Sequence, residues 1–252
     1  MTTYALLGYP LSHSFSRGYF TKKFAELGLS DTHQYVNFEL EDVNQLKEKL
    51  EEYEDVRGCN VTIPHKRSVV ELMDDIDPAA ERIGAVNTIL IREGRMIGYN
   101  TDYWGFRNDL LEQMKLQGHD TDLSGQSALI LGTGGASLAV REALKSLGVS
   151  GQYVSRSPGV NQLTYSELDR NTMESHRIIV NTTPLGMSPR VETAPDIPFE
   201  FISDRHFCYD LVYNPAETKF LRLARGGGAG AANGLGMLHK QAEASWEIWT
   251  RE

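Results

Sequence analysis

The run Ala128-Leu129-Ile130-Leu131, followed at once by Gly132-Thr133-Gly134-Gly135-Ala136-Ser137, constrains this chain more than any other segment. A short apolar strand that breaks into a glycine turn and opens a helix brings bare backbone close to a diphosphate. The helix N-terminus then supplies N–H groups with no partner of their own. Small Ser137 occupies the place of the third glycine in such turns. The helix is expected to run to about Leu147, where Gly148 stops it. A merely tight strand-to-helix turn is the competing reading of the same string.

Roughly 20 residues further on, NAD-binding domains carry an acidic residue for the ribose 2′-hydroxyl. Here the sequence is Ser155-Arg156-Ser157, with no carboxylate. Arg156 is suited to a 2′-phosphate and to stacking on adenine, and the two serines add neutral donors. NADP is therefore favoured over NAD, by about ten- to hundredfold for one charge-assisted contact. Without the strings around it, Arg156 reads as an ordinary surface arginine.

Three strings lie upstream: NVTIPHK (Asn60 to Lys66), GAVNT (Gly84 to Thr88) and GYNTD (Gly98 to Asp102). They supply a lysine, an aspartate and neutral hydrogen-bonding side chains, which together with a dinucleotide turn imply nicotinamide-dependent redox chemistry on a small polyhydroxylated acid. Interconverting an alcohol and a ketone requires a group that exchanges the hydroxyl proton. Lys66 is a reasonable proton carrier, and Asp102 is the candidate partner that holds and orients it. Each has a plainer reading: Pro64-His65-Lys66 resembles a helix start, and Asp102 an N-cap. Asn87 and Asn100 are turn residues or ligands of substrate hydroxyls. His65 is a second acid-base candidate, ranked below Lys66.

The first hundred residues alternate short apolar strands with amphipathic stretches: Tyr4 to Leu7, Tyr19 to Leu27, Tyr35 to Phe38, Val43 to Leu50 and Val56 to Val61. This is the pattern of βαβ units in a largely parallel sheet. Thr88 to Ile91 and Met96 to Tyr99 read as a hairpin across Arg92-Glu93-Gly94-Arg95. A helix from Tyr103 to Met114 and a polar connection from Gly118 to Gly125 precede the second α/β pattern. Further strands are expected at Tyr153 to Ser155, Ile178 to Asn181 and Cys208 to Val212. The glycine- and alanine-rich Arg225 to Gly236 reads as a short packed strand and turn, followed by a helix from Leu238 to Thr250. The fold class is thus α/β with two domains and an active-site cleft between them: a substrate-binding and catalytic domain over 1–102 plus 237–252, and a Rossmann-like domain over 103–236.

The chain has 252 residues, 40% of them hydrophobic, enough for two modest cores. Its formal net charge of -9 disfavours a nucleic-acid partner. No apolar run approaches the roughly 20 residues that span a bilayer, so no membrane partner and a cytoplasmic location are expected. The two cysteines, Cys59 and Cys208, sit among apparent strand residues, arguing against a metal site or a disulfide framework.

Taken together, these strings resemble the shikimate dehydrogenase family over essentially the whole chain. GYPLSHSFS (Gly8 to Ser16), NTTPLGM (Asn181 to Met187), YDLVYNP (Tyr209 to Pro215) and NGLGMLHKQA (Asn233 to Ala242) join the earlier four in the family's order. The resemblance implies reversible NADPH-dependent reduction of 3-dehydroshikimate to shikimate by a monomer or homodimer acting on a small molecule. It implies that Ser14 and Ser16 bind the substrate carboxylate, with Thr62, Asn87, Tyr213 and Gln241 completing the pocket. Lys66 and Asp102 would be the catalytic pair. Gly132, Thr133, Gly134, Gly135 and Ala136 would hold the cofactor diphosphate, Ser155, Arg156 and Ser157 its adenosine end, and Leu211 and Gly234 would lie by the nicotinamide. Two positions depart from the family: Arg17 follows the second serine where proline is common, and Ser155 replaces the usual asparagine. Arg17 is read as a surface residue. Of two competing readings, a quinate/shikimate dehydrogenase using NAD conflicts with the lack of an acidic residue at Ser155 to Ser157. A catalytically silent dinucleotide sensor conflicts with the presence of Lys66 and Asp102.

Overall fold

Largely buried strands pair into two six-stranded sheets in the computed structural model, which describes residues 1–11 and 15–251. The chain divides into two compact units, Met1–Thr101 with Ala242–Glu252, and Asp102–Gln241.

The first unit contains β1 (Thr2–Gly8), α1 (Phe15–Glu26), β2 (His33–Glu39), α2 (Leu46–Glu51), β3 (Asp55–Val61), β4 (Asp75–Ile76), α3 (Pro78–Ile83), β5 (Thr88–Arg92) and β6 (Arg95–Tyr99). Its sheet runs β2-β1-β3-β5-β6-β4. Strands β2, β1 and β3 are parallel, whereas β3, β5 and β6 alternate in direction because β5 and β6 form the hairpin. The sheet is therefore mixed rather than largely parallel. The hairpin strands extend to Arg92 and Arg95 and leave a two-residue turn, with Glu93 and Gly94 both at positive φ (51° and 74°). That geometry matches the right-handed twist of the paired strands. Helix α3 was not among the expected elements, although Asp77 caps it, Pro78 opens it and Gly84 closes it at φ 68°.

Alternation along β1 sends Ala5 and Leu7 to one core and Tyr4 and Leu6 to the other. The second core is aromatic: Tyr4 stacks on Trp249 at 4.8 Å, and Phe20 on Tyr35 at 4.8 Å. Trp249 comes from the last helix of the chain and donates its indole N–H to the Ile89 carbonyl at 2.9 Å.

The second unit contains most of α4 (Thr101–Leu116), then β7 (Ser127–Leu131), α5 (Gly135–Ser146), β8 (Ser150–Ser155), β9 (Gln162–Thr164), α6 (Arg170–Ser175), β10 (Ile178–Asn181), β11 (Phe207–Asp210), α7 (Lys219–Gly226), β12 (Gly230–Asn233) and the start of α8 (Leu235–Thr250). Every pairing in its sheet, β12-β11-β10-β7-β8-β9, is parallel. Read from β7, the order is that of the dinucleotide-binding doubly wound fold, with its reversal between β7 and β10. Ala128 and Ile130 face a core shared with α4 and α5, and Leu129 and Leu131 one shared with α6 and α7. Helix α7 enters the segment expected to be strand and turn and ends at Gly226, so that only Gly230–Asn233 is strand.

Gly58 tests the aromatic core. A Cβ built there would stand 2.1 Å from the Trp249 indole nitrogen, which its bond to Ile89 holds in place. Gly58→Ala is expected to destabilise the protein by about 1–3 kcal/mol. A urea midpoint equal to that of the parent protein would show that the indole yields freely.

Candidate functional site

At the end of β7, Gly132 takes φ 101°, and a Cβ there would lie 2.9 Å from Thr183 and 3.0 Å from Thr182 Oγ1. Glycine is required on both counts. Gly134 is the N-cap residue of α5 and has no side-chain cap, while added Cβ atoms at Gly134 and Gly135 would meet nothing within 4 Å. Residues Thr133 to Ala136 are exposed. The first turn of a twelve-residue helix is thus bare and approachable, as a diphosphate requires. Ser137 is buried and donates to the Gly134 carbonyl at 2.6 Å, tightening the turn. Ser155 ends β8, Ser157 N–H points at its hydroxyl at 3.4 Å, and Arg156 and Ser157 are exposed beside it. The observed donor set, open backbone with a basic and hydroxylic strand end, fits a phosphorylated dinucleotide.

Across the reversal, Thr182 donates both its N–H (2.9 Å) and its hydroxyl (2.7 Å) to the Leu131 carbonyl, joining the ends of β7 and β10. Beyond β11, fully buried Asp210 accepts from Asn181 Nδ2 (2.9 Å), Val212 N–H (3.0 Å) and the Thr218 hydroxyl (2.5 Å). This fixes the turn that carries Leu211. Gly234 packs on that turn so closely that a Cβ would lie 2.3 Å from the Leu211 carbonyl oxygen. Two residues expected at a nicotinamide therefore touch.

Beneath them the Tyr209 phenol donates to Asp109 Oδ2 at 2.6 Å. Burial pushes the carboxyl of Asp109 up. Gly236 admits that carboxyl, since a Cβ would stand 2.0 Å from Asp109 Oδ1. Sequence reading gave Asp109, Tyr209 and Asp210 no role. Charged or phenolic residues in otherwise apolar rows were the available signal.

In the first unit, Thr62 N–H donates to the Leu7 carbonyl at 2.8 Å, and the Lys66 carbonyl accepts from Val86 N–H at 2.7 Å. Val61 N–H donates to the Asn87 carbonyl at 2.8 Å. Thr62, Lys66 and Asn87 are thus gathered where β3 ends and β5 begins. Residues 63–67 form turns that lead into a short 3-10 helix at Ser68–Leu72, so Lys66 is not at an α-helix start. Buried His65 places Nε2 2.6 Å from the Leu40 carbonyl, which anchors this turn. Asn87 Oδ1 accepts from Thr101 N–H at 2.6 Å and so takes the capping position at the start of α4. Asp102 therefore lies inside the first turn rather than acting as its N-cap. Asn100 donates to the Ala85 carbonyl at 3.0 Å, a turn role. Ser16 is half-buried on α1, and Ser14 lies outside the described residues. Asp102, Tyr213 and Gln241 belong to the second unit. Tyr213 is 41% exposed, while Gln241 is buried and donates to the Leu238 carbonyl at 3.0 Å.

A groove of about 630 Å³ between α1 and β2 is lined by Arg17, Thr21, Lys22 and Asn37. It holds none of the expected site residues, and the strand-end clusters are the better site because their backbone is fixed by side-chain bonds. Arg17 is exposed there. Both cysteines are buried within strands, and burial pushes the Cys59 thiol up to about 12. Among the described residues no group of three or more His, Cys, Asp and Glu is placed to hold a metal ion, and no helix is long and apolar enough to cross a membrane.

The shikimate dehydrogenase substrate-binding domain family matches residues 6–89. A shikimate dehydrogenase (NADP(+)) of Desulforamulus reducens is 37% identical over 97% of this chain and 88% of its own length. The chain belongs to the shikimate dehydrogenase family. Solved members include a chorismate mutase/shikimate 5-dehydrogenase fusion protein of Clostridium acetobutylicum, with TM-score 0.83 and 34% identity over 99% of this chain and 91% of that one. The shikimate 5-dehydrogenase of Thermus thermophilus, solved with NADP(H) and shikimate, has TM-score 0.82 and 34% identity over 99% of this chain and 94% of that one.

Asp210 gives this family member a pH signature. Burial raises its carboxyl from 3.8 to about 6, so between those values the folded state holds a proton that the unfolded chain has released. Stability from this group is therefore greatest at low pH and falls as pH rises through about 6. Relative to Asp210→Asn, the parent protein is expected to lose stability between pH 4 and 7 in chemical denaturation. A difference independent of pH would refute the shift.

Proposed function

We propose that this chain is an NADP-dependent shikimate dehydrogenase, reversibly reducing 3-dehydroshikimate to shikimate on the route to chorismate and the aromatic amino acids. The observation that supports the reading is the backbone bond from Val86 N–H to the Lys66 carbonyl, which joins the turn carrying Lys66 to the residue before Asn87. In this reading residues 1–102 with 237–252 hold the substrate and residues 103–236 the cofactor.

Ser16, together with Ser14, donates hydroxyl hydrogen bonds to the substrate carboxylate, for which no arginine is needed. Thr62, Asn87, Tyr213 and Gln241 bind the ring hydroxyls and orient the reacting carbon. In the reducing direction Lys66 gives its proton to the carbonyl oxygen, and in the oxidising direction it takes the proton back. Asp102 orients the ammonium through its carboxylate. The turn Gly132 to Ala136 binds the diphosphate, and Leu211 and Gly234 hold the nicotinamide face. The bound nicotinamide supplies or accepts the hydride. Arg156, with Ser155 and Ser157, selects the 2′-phosphate.

Turnover of shikimate with NADP, measured beside quinate and beside NAD, tests the reading. Comparable rates on quinate or with NAD would place the chain among broader quinate/shikimate dehydrogenases, and no turnover with any pair would overturn the enzymatic role. Lys66→Ala is expected to lower kcat by about two to four decades with KM comparatively unchanged. A change confined to KM would reassign Lys66 to substrate holding. Arg156→Ala is expected to raise KM for NADPH about ten- to hundredfold with little effect on NADH. Equal losses for both would remove the 2′-phosphate contact.

A further inference from the structure

One buried carboxyl lies between the two segments that meet at Leu211 and Gly234. Asp109, on α4, is 1% exposed. Its Oδ2 accepts from the phenol of Tyr209 at 2.6 Å, and Tyr209 stands on β11, two residues before Leu211. Its other oxygen, Oδ1, has no hydrogen-bond partner among the described residues. Oδ1 lies against Gly236, two residues after Gly234, where a Cβ would stand only 2.0 Å from it. The carboxyl therefore touches both segments, and the close approach of Gly234 to the Leu211 carbonyl joins them again beyond it.

The two segments are held unequally. The Leu211 turn is fixed by Asp210, which accepts from Asn181 and Thr218. Gly234 has a looser hold on that turn, since its N–H reaches the Val212 carbonyl only at 3.4 Å. What seats the first turn of α8 is α4, and one glycine on each helix permits the contact: Gly236 admits the Asp109 carboxyl, and at Gly105 a Cβ would stand 2.8 Å from the Met237 carbonyl oxygen. The first N–H groups of a helix have no partner within it and make that end positive, here the end of a sixteen-residue helix. A buried oxygen that bonds nothing is costly, and the positive end of α8 offsets that cost for Oδ1 only while the turn stays where it is.

We propose that Asp109 is a positioning residue for the nicotinamide end of the cofactor: holding Tyr209 with one oxygen and the first turn of α8 with the other, it sets where Gly234 stands against Leu211. The nicotinamide's place at those two residues rests on the proposed function, whereas the hold of Asp109 on α8 does not.

The test compares NADPH with 2′-phospho-ADP-ribose, the part of the cofactor that lacks the nicotinamide ring. Asp109→Asn keeps the shape and removes the charge, and Tyr209→Phe removes the phenol proton. In both variants the affinity for 2′-phospho-ADP-ribose is expected to stay at the parent value, while the fluorescence of bound NADPH moves toward that of the free cofactor. The kcat for shikimate oxidation is expected to fall about five- to tenfold, as for one lost hydrogen bond. A role confined to stability would lower the melting temperature and leave the fluorescence and kcat of the folded variants unchanged, and that result would overturn the proposal. Equal losses of affinity for both ligands would also overturn it, because the whole cofactor site would then have been disturbed. If Asp109→Asn fails to fold, Tyr209→Phe decides alone. If the parent protein binds NADPH but does not turn over shikimate, the proposed function falls, and the fluorescence still decides the role of Asp109.

Discussion

Where parallel strands part, their last backbone groups lose the ladder and must find other partners, and both units depend on how this is done. In the first unit Val61 N–H is satisfied by the Asn87 carbonyl and Thr101 N–H by the Asn87 side chain. In the second, Leu131 is satisfied by Thr182, and Val212 N–H by Asp210. The side chains that close the strand ends are also, or adjoin, those that the proposed chemistry employs. Structural satisfaction and ligand binding therefore draw on the same groups, and a polar residue removed from either strand end leaves a buried donor or acceptor unpaired.

Close approach is the second requirement. Gly132 lies against Thr182 and Thr183, Gly234 against the Leu211 carbonyl, and Gly236 against Asp109. Each contact brings backbone to a place where a side chain would intrude. At the start of α5 the same absence of side chains leaves N–H groups open. In α8 the same principle holds: Gly236 in its first turn packs against Asp109, and later residues bring Ser245 to Thr88 and Trp249 to the aromatic core of the first unit.

Much of the second unit was legible because strand, glycine turn and helix are adjacent in sequence, and their signals are local. The strands at Ile178 to Asn181 and from Cys208 were legible as short apolar runs, although β11 ends at Asp210, where the carboxylate turns the chain. Helices α3, α6 and α7 were not expected, yet Asp77, Asp169 and Thr218 each cap one of them with a side-chain oxygen. Their short length hides the apolar period, leaving only the caps as signal. Asp102 was ambiguous in sequence because Asn-Thr-Asp before a helix offers several capping residues. Only Asn87, fourteen residues before Thr101, resolves which group meets the first N–H.

Residues contiguous in the chain were enough to dictate the two-unit α/β plan, the diphosphate-ready turn, the non-acidic end of β8 and the family, because each of these rests on a local string. Which polar side chains act as a set was settled by packing alone. Ser245 and Asn60 are far apart in sequence and meet at 2.9 Å, and Asp109 meets Tyr209 at 2.6 Å. Such pairs form because burial makes an unpaired polar atom costly, and a chain can satisfy it only with whatever the packed strands and helices bring within reach.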